Sequence, residues 1–237
     1  QKDAVEFLTA TMNAFNIPAS DSMKIMDVTT NLANKYAINA NELAAGIQRS
    51  AFAAKAAGLS FEELAGLITA VSEATRMSGE HIGVALRTIM LNIRNEDSAK
   101  ALADIGISVL DNERHYKSFM TILAELSVQW KDLSDVEQQN IMMKGAGIRR
   151  SNEFLALIEK FPLALKATAE AFTSEQSAIQ AANKNMQSLQ SQINVTKAKW
   201  DALFTNPKGD TEFYRALQDL VKTAQTLLDA LSQSGSA

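Results

Sequence analysis

The stretch GLSFEELAGLITAVSEAT, residues 58–75, decides the fold class. Ser60 stands three residues before Glu63, the spacing of a capping box, in which each side chain satisfies an orphan amide at a helix start. Phe61, Leu64, Leu67, Ile68 and Val71 then recur at helical spacing and share one face. Gly58 stands just after an alanine-rich run, where a preceding helix would end on a glycine. One short stretch therefore carries a helix stop, a helix start and an apolar stripe.

The same grammar extends outward. Asn39 with Glu42, Ser134 with Glu137 and Thr173 with Gln176 repeat the capping spacing, and Gly106 repeats the terminal glycine. Ile82, Ala85, Leu86, Ile89 and Ile93 form a second stripe. Phe119, Ile122, Leu123, Leu126 and Trp130 form a third. Leu155, Ile158, Phe161 and Leu165 form a fourth, interrupted by Pro162, where a kink or restart is expected. Segments near 3–15, 20–37 and 40–57 read as helices with less regular faces. Ile107–Leu110 is the one place that reads as a loop or a short strand. Gly83 is expected where the helices of 61–75 and 79–94 approach closely, because a glycine beside a buried stripe lets a backbone come near.

From Thr173 the pattern changes. Ile179, Ala182, Met186, Leu189, Ile193, Thr196, Trp200 and Leu203 keep a 3-4 spacing among Gln, Asn, Lys and Ser. That is a narrow seam of coiled-coil type. Pro207 and Gly209 break it, and Phe213, Leu217, Leu220, Ala224, Leu227 and Leu231 form a second stripe. The expected architecture is all-α. A multi-helix globular bundle over 1–172 is followed by a long helix plus a C-terminal helix over 173–237, paired as a hairpin or coiled coil. Seam residues 179–231 are expected to serve packing and self-association.

Composition agrees with helix. The 237 residues are 46% hydrophobic and 21% charged, with three prolines and 6% aromatics. Cysteine is absent, so there is neither a disulfide nor a thiolate metal site. This fits synthesis in a reducing cytoplasm. The net charge of −4 and pI near 5.3 supply no general attraction to nucleic acid or anionic membrane. No apolar run is long enough to span a bilayer, and no signal peptide is visible. A start on Gln1 and a loose Ser232–Ala237 end suggest a piece of a longer protein.

No residue is singled out as catalytic, cofactor-binding or metal-ligating. His81 and His115 are the only histidines, and neither has a partner at a metal-ligand spacing. His81 reads as solvated or capping. Glu62 and Glu63 read as helix-start charges. Gly145-Ala146-Gly147 before Arg149-Arg150 lacks the strand and the Lys-Ser/Thr ending of a phosphate loop, and reads as a flexible break between helices. Arg149, Arg150, Lys184, Lys197 and Lys199 read as a solvated face without interleaved aromatics. Met90, Met142 and Met143 read as core filler.

Residues 44–93, AAGIQRSAFAAKAAGLSFEELAGLITAVSEATRMSGEHIGVALRTIMLNI, resemble the core of the phage tail tape measure protein family (TP901 type). The shared features are an alanine-rich helix, Gly58-Leu59-Ser60, a helix over 61–75, a turn at Ser78-Gly79, and Gly83-Val84-Ala85-Leu86-Arg87-Thr88. Further blocks agree at Ala101–Ile107, at Thr121–Leu126 and at GAGIRRSNEFLALI, residues 145–158. The ordered succession over roughly 20–205 is more specific than any one block. The family carries a glycine in the loop after Asp111, where this chain reads Asn112-Glu113-Arg114.

The resemblance implies a structural protein, not an enzyme, needing no cofactor. It would set tail length during assembly and leave with the genome at infection. Implied partners are the tail tube protein, tail assembly chaperones and tail-tip proteins, with host-envelope contacts through other regions and no sequence-specific nucleic-acid binding. The implied locations are the host cytoplasm and then the tail-tube interior, of a phage or a prophage. The competing reading is a generic helical coiled-coil interaction module of a secreted or prophage-encoded protein. A peptidoglycan hydrolase would require an acidic residue in a cleft. The compact bundle and a tube-confined form differ in extension, so a change of fold between them is expected.

Overall fold

A computed structural model describes residues 2–173, and the hairpin expected beyond Thr173 lies outside the described residues. Ten α-helices make up the described chain: α1 Lys2–Phe15, α2 Ser22–Lys35, α3 Ala40–Ala56, α4 Phe61–Thr75, α5 Gly79–Asn92, α6 Glu96–Asp104, α7 Phe119–Gln129, α8 Asp135–Gly145, α9 Ser151–Glu159 and α10 Phe161–Phe172. Short 3-10 turns occupy Ala19–Asp21, Trp130–Asp132 and Ile148–Arg150. No strand occurs among the described residues. The all-α expectation holds there.

The boundaries are capped largely as the residues dictate. Ser60 with Glu63 and Ser134 with Glu137 form complete capping boxes. Asn39 accepts from the Glu42 amide at 2.9 Å, but the reciprocal half of that box is missing. The Glu42 carboxylate accepts instead from the Gly79 amide, at the start of α5. A tertiary donor thus replaces the local one. Gln176 lies outside the described residues. Ser78, Asn95 and Ser118 cap α5, α6 and α7 without the Glu or Gln that completes a box. Gly58 and Gly106 follow α3 and α6 in the left-handed region, at φ +77° and +83°. Pro162 restarts the chain: α9 ends at Glu159, and Pro162 lies in the first turn of α10, where its missing N–H costs no helical hydrogen bond.

α4 is the centre of the bundle. Its apolar stripe is buried, and so are Ala65, Gly66, Thr69 and Ala70 between the large residues. Small side chains on the remaining face let other helices close over it. α10 lies there. A Cβ on Gly66 would stand 2.7 Å from the Ala164 carbonyl oxygen and 2.9 Å from the Thr168 amide nitrogen. The hydroxyls inside the core donate to carbonyls one helical turn back: Thr29 to Ile25, Ser50 to Gly46, Thr69 to Ala65 and Thr168 to Ala164, at 2.6–2.8 Å.

Gly83 does mark a close helix approach, but its partner is α3, not α4. A Cβ there would stand 2.9 Å from the Gly46 Cα and 2.8 Å from the Arg49 Cβ. Contacts Glu42–Gly79, Gly46–Gly83 and Ala56–Arg94 advance together along the chain, so α3 and α5 run side by side in one direction. The α9 stripe also differs from its sequence reading. Phe154, Leu157 and Ile158 are buried, while Leu155 is only half-buried. Met90 is core, Met142 is half-buried and Met143 is exposed, so core filling accounts for only the first.

Candidate functional site

The most concentrated polar cluster joins α5 to α9. Ser78 accepts from the His81 amide and fixes the first turn of α5. The imidazole reaches across the bundle, and its Nε2 lies 2.7 Å from Glu153 Oε1 and 2.9 Å from Arg150 Nη1. Arg150 lies 3.3 Å from the same carboxylate oxygen. One ring nitrogen cannot both donate to Glu153 and accept from Arg150, so the shorter contact assigns Nε2–H to the carboxylate. The Glu153 side chain is 2% exposed and the His81 side chain 44%. A carboxylate so deeply placed requires compensation, and the imidazole N–H and the Arg150 guanidinium supply it.

His81 is exposed, as its solvated reading expects, and its ring is in addition a tertiary tie to α9. Arg150 belongs to the same tie and not to a solvated face; its neighbour Arg149 is exposed. The lysines at 184, 197 and 199 lie outside the described residues. Gly147, at φ +72°, separates α8 from the 3-10 turn of Ile148–Arg150, so the glycine pair is a break between helices. His115 lies in an exposed turn, 3.7 Å from Glu113 and 3.9 Å from Asp111. Among the described residues no group of three or more His, Asp or Glu could hold a metal ion.

Arg94 forms a second polar junction that sequence reasoning did not single out. It donates to the carbonyls of Ala56, Ala57 and Lys117 at 2.7–2.9 Å, and its guanidinium lies over the Tyr116 ring at 5.1 Å. It thereby closes the C-terminus of α3 and pins the turn before α7. Burial lowers its pKa from the usual arginine value. The turn itself holds one antiparallel bridge, Leu110 with Tyr116, so Ile107–Leu110 is a loop with a single bridge. Arg114 takes the left-handed conformation there, at φ +64°, in the loop where a glycine was expected by resemblance. Asp111 Oδ1 accepts from the amides of Glu113 and His115 and holds that turn.

At the Glu62–Glu63 helix start, Lys24 pairs with Glu62 at 2.5 Å. Burial raises the Glu63 pKa above the usual carboxylate range, partly offset by its hydrogen bonds to Ser60. Exposed apolar side chains gather on α8 and just after it, with Val136 at 76%, Met143 at 40% and Ile148 at 77%. Phe52 and Leu91 are exposed on α3 and α5. Among the described residues no helix is long and apolar enough to cross a membrane.

These features define a class: an all-helical bundle, over the described residues, held by glycine helix crossings and charged ties between helices. A model of the phage-related minor tail protein family matches residues 1–147, and the chain belongs to that family. No solved structure matches it. The matched stretch ends before α9, although α9 and α10 complete the burial of α4.

Proposed function

We propose that this chain is part of a tail tape measure protein, whose length sets the length of the phage tail and which leaves the tube with the genome at infection. Membership of the phage-related minor tail protein family over residues 1–147 carries the reading. The ordered blocks of residues 44–158 support its finer, tape measure form. The role is structural: the described charged clusters tie helices together, and their partners are one another. The partners on this reading are the tube protein, assembly chaperones and tail-tip proteins, with self-association through the 179–231 seam. The compact unit over 1–172 and the helical segment over 173–237 would act as separate parts.

The test is an in-frame deletion of codons 173–237 in the parent phage, with tails measured by electron microscopy. A helical segment of that length at about 1.5 Å per residue predicts tails shorter by roughly 100 Å. Tails of unchanged length would overturn the tape measure reading.

A further inference from the structure

We propose that α10 is a strap that holds the compact unit closed, and that tension on the chain following residue 173 opens the unit by releasing it. This goes beyond the tape measure reading, and it is tested on the isolated chain, so its failure would leave that reading standing.

The strap lies outside the family-matched stretch, after the Gly145–Gly147 break. It nevertheless supplies Phe161, Ala164, Leu165, Ala167, Thr168, Ala171 and Phe172 to the core. Gly66 of α4 has no side chain of its own to cover the ground that Ala164 and Thr168 cover. Without α10, α4 would expose a small-residue face that no other described element covers so closely. A core deprived of that helix has lost packing on its central element, so the rest has no reason to persist.

The polar ties lie at the end of the strap where tension would arrive. Asn31 Nδ2 of α2 donates to the Glu170 carbonyl at 2.9 Å, and Lys35 lies 3.6 Å from the Glu170 carboxylate. The Tyr36 phenol is beside that carboxylate too, and burial with the Glu170 charge raises its pKa well above the usual value. These ties join the last turn of α10 to α2, and the covalent chain continues directly from them. Force on residue 173 therefore loads these contacts before the packing along α4.

The absence of cysteine makes a direct test clean. The full chain carrying Lys55→Cys and Thr173→Cys, both at exposed positions, is held by handles at those thiols in optical tweezers. The expected record is one cooperative rip that frees residues 55–173 together, roughly 400 Å of contour at about 3.5 Å per residue. Asn31→Ala with Glu170→Ala should lower the force of that rip and leave its length unchanged. A first rip of roughly 90 Å, freeing 148–173 and leaving a core that resists further, would overturn the strap as the closing element. Equal rip forces with and without the Asn31 and Glu170 substitutions would overturn the placement of the latch.

Discussion

Gly46 of α3 and Gly83 of α5 face each other with no side chain between them; a Cβ on Gly83 would stand 2.9 Å from the Gly46 Cα. Gly79 repeats the approach one turn earlier, 2.9 Å from the Glu42 Cα by the same measure. The two backbones are therefore nearly in contact over a full helical turn. Gly83→Ala should destabilise by roughly 1–3 kcal/mol through over-packing against a backbone that cannot rotate away. Gly83→Leu should cost more. Thermal melts read this as a fall of several degrees. An unchanged melting curve for Gly83→Ala would refute the crossing, and Lys55→Ala on the exposed face of α3 is the control.

Arg94 meets three carbonyls that no shorter or unbranched cation can reach together. Arg94→Lys should lose at least one of these charge-assisted bonds and cost about 1–3 kcal/mol, although the charge is kept. Denaturant titration would show a lower midpoint with an unchanged slope. If Arg94→Lys were neutral, charge near the α3 terminus and not the forked geometry would be what matters.

Arg114 occupies a left-handed conformation that costs an L-residue roughly 1 kcal/mol and glycine almost nothing. Arg114→Gly should therefore stabilise the chain by up to about that amount, less the flexibility added to the unfolded state. Arg114→Val should destabilise it, because a β-branched residue fits that region worst. A higher melting temperature for Arg114→Val than for Arg114→Gly would contradict the assigned turn.

Glu63 carries a testable pH dependence. Its folded-state pKa is raised by burial, so the folded chain binds this proton more tightly than the unfolded chain does. The stability linked to that proton is present below the usual carboxylate range and is lost as the pH rises through the raised value. Glu63→Gln keeps a side chain that serves in a capping box and removes the charge. It should raise the melting temperature at pH 7, and the difference from wild type should shrink toward pH 4. A constant difference across that range would show that burial does not perturb this carboxyl.

Sequence alone determined what depends on neighbouring residues. The α3 stop at Gly58, the α4 start at Ser60 and Glu63, and the α10 restart at Pro162 were all legible, because capping and proline geometry act within one turn of chain. Periodicity located the apolar faces of α4, α5 and α7 for the same reason. Tertiary structure alone decided which helix covers which face. A glycine beside a stripe announces a close approach, yet nothing local distinguishes α3 from α4 as the neighbour of Gly83. Glu42 fits a capping box by spacing but finds the Gly79 amide, 37 residues away, once α3 and α5 lie together. His81 gives no local sign of Glu153, 72 residues away, since their pairing exists only after α9 packs against α5. Periodicity states that a face is apolar. The partner that buries it, and the charge that a buried carboxylate meets, follow from packing helices distant in sequence against one another within the described residues.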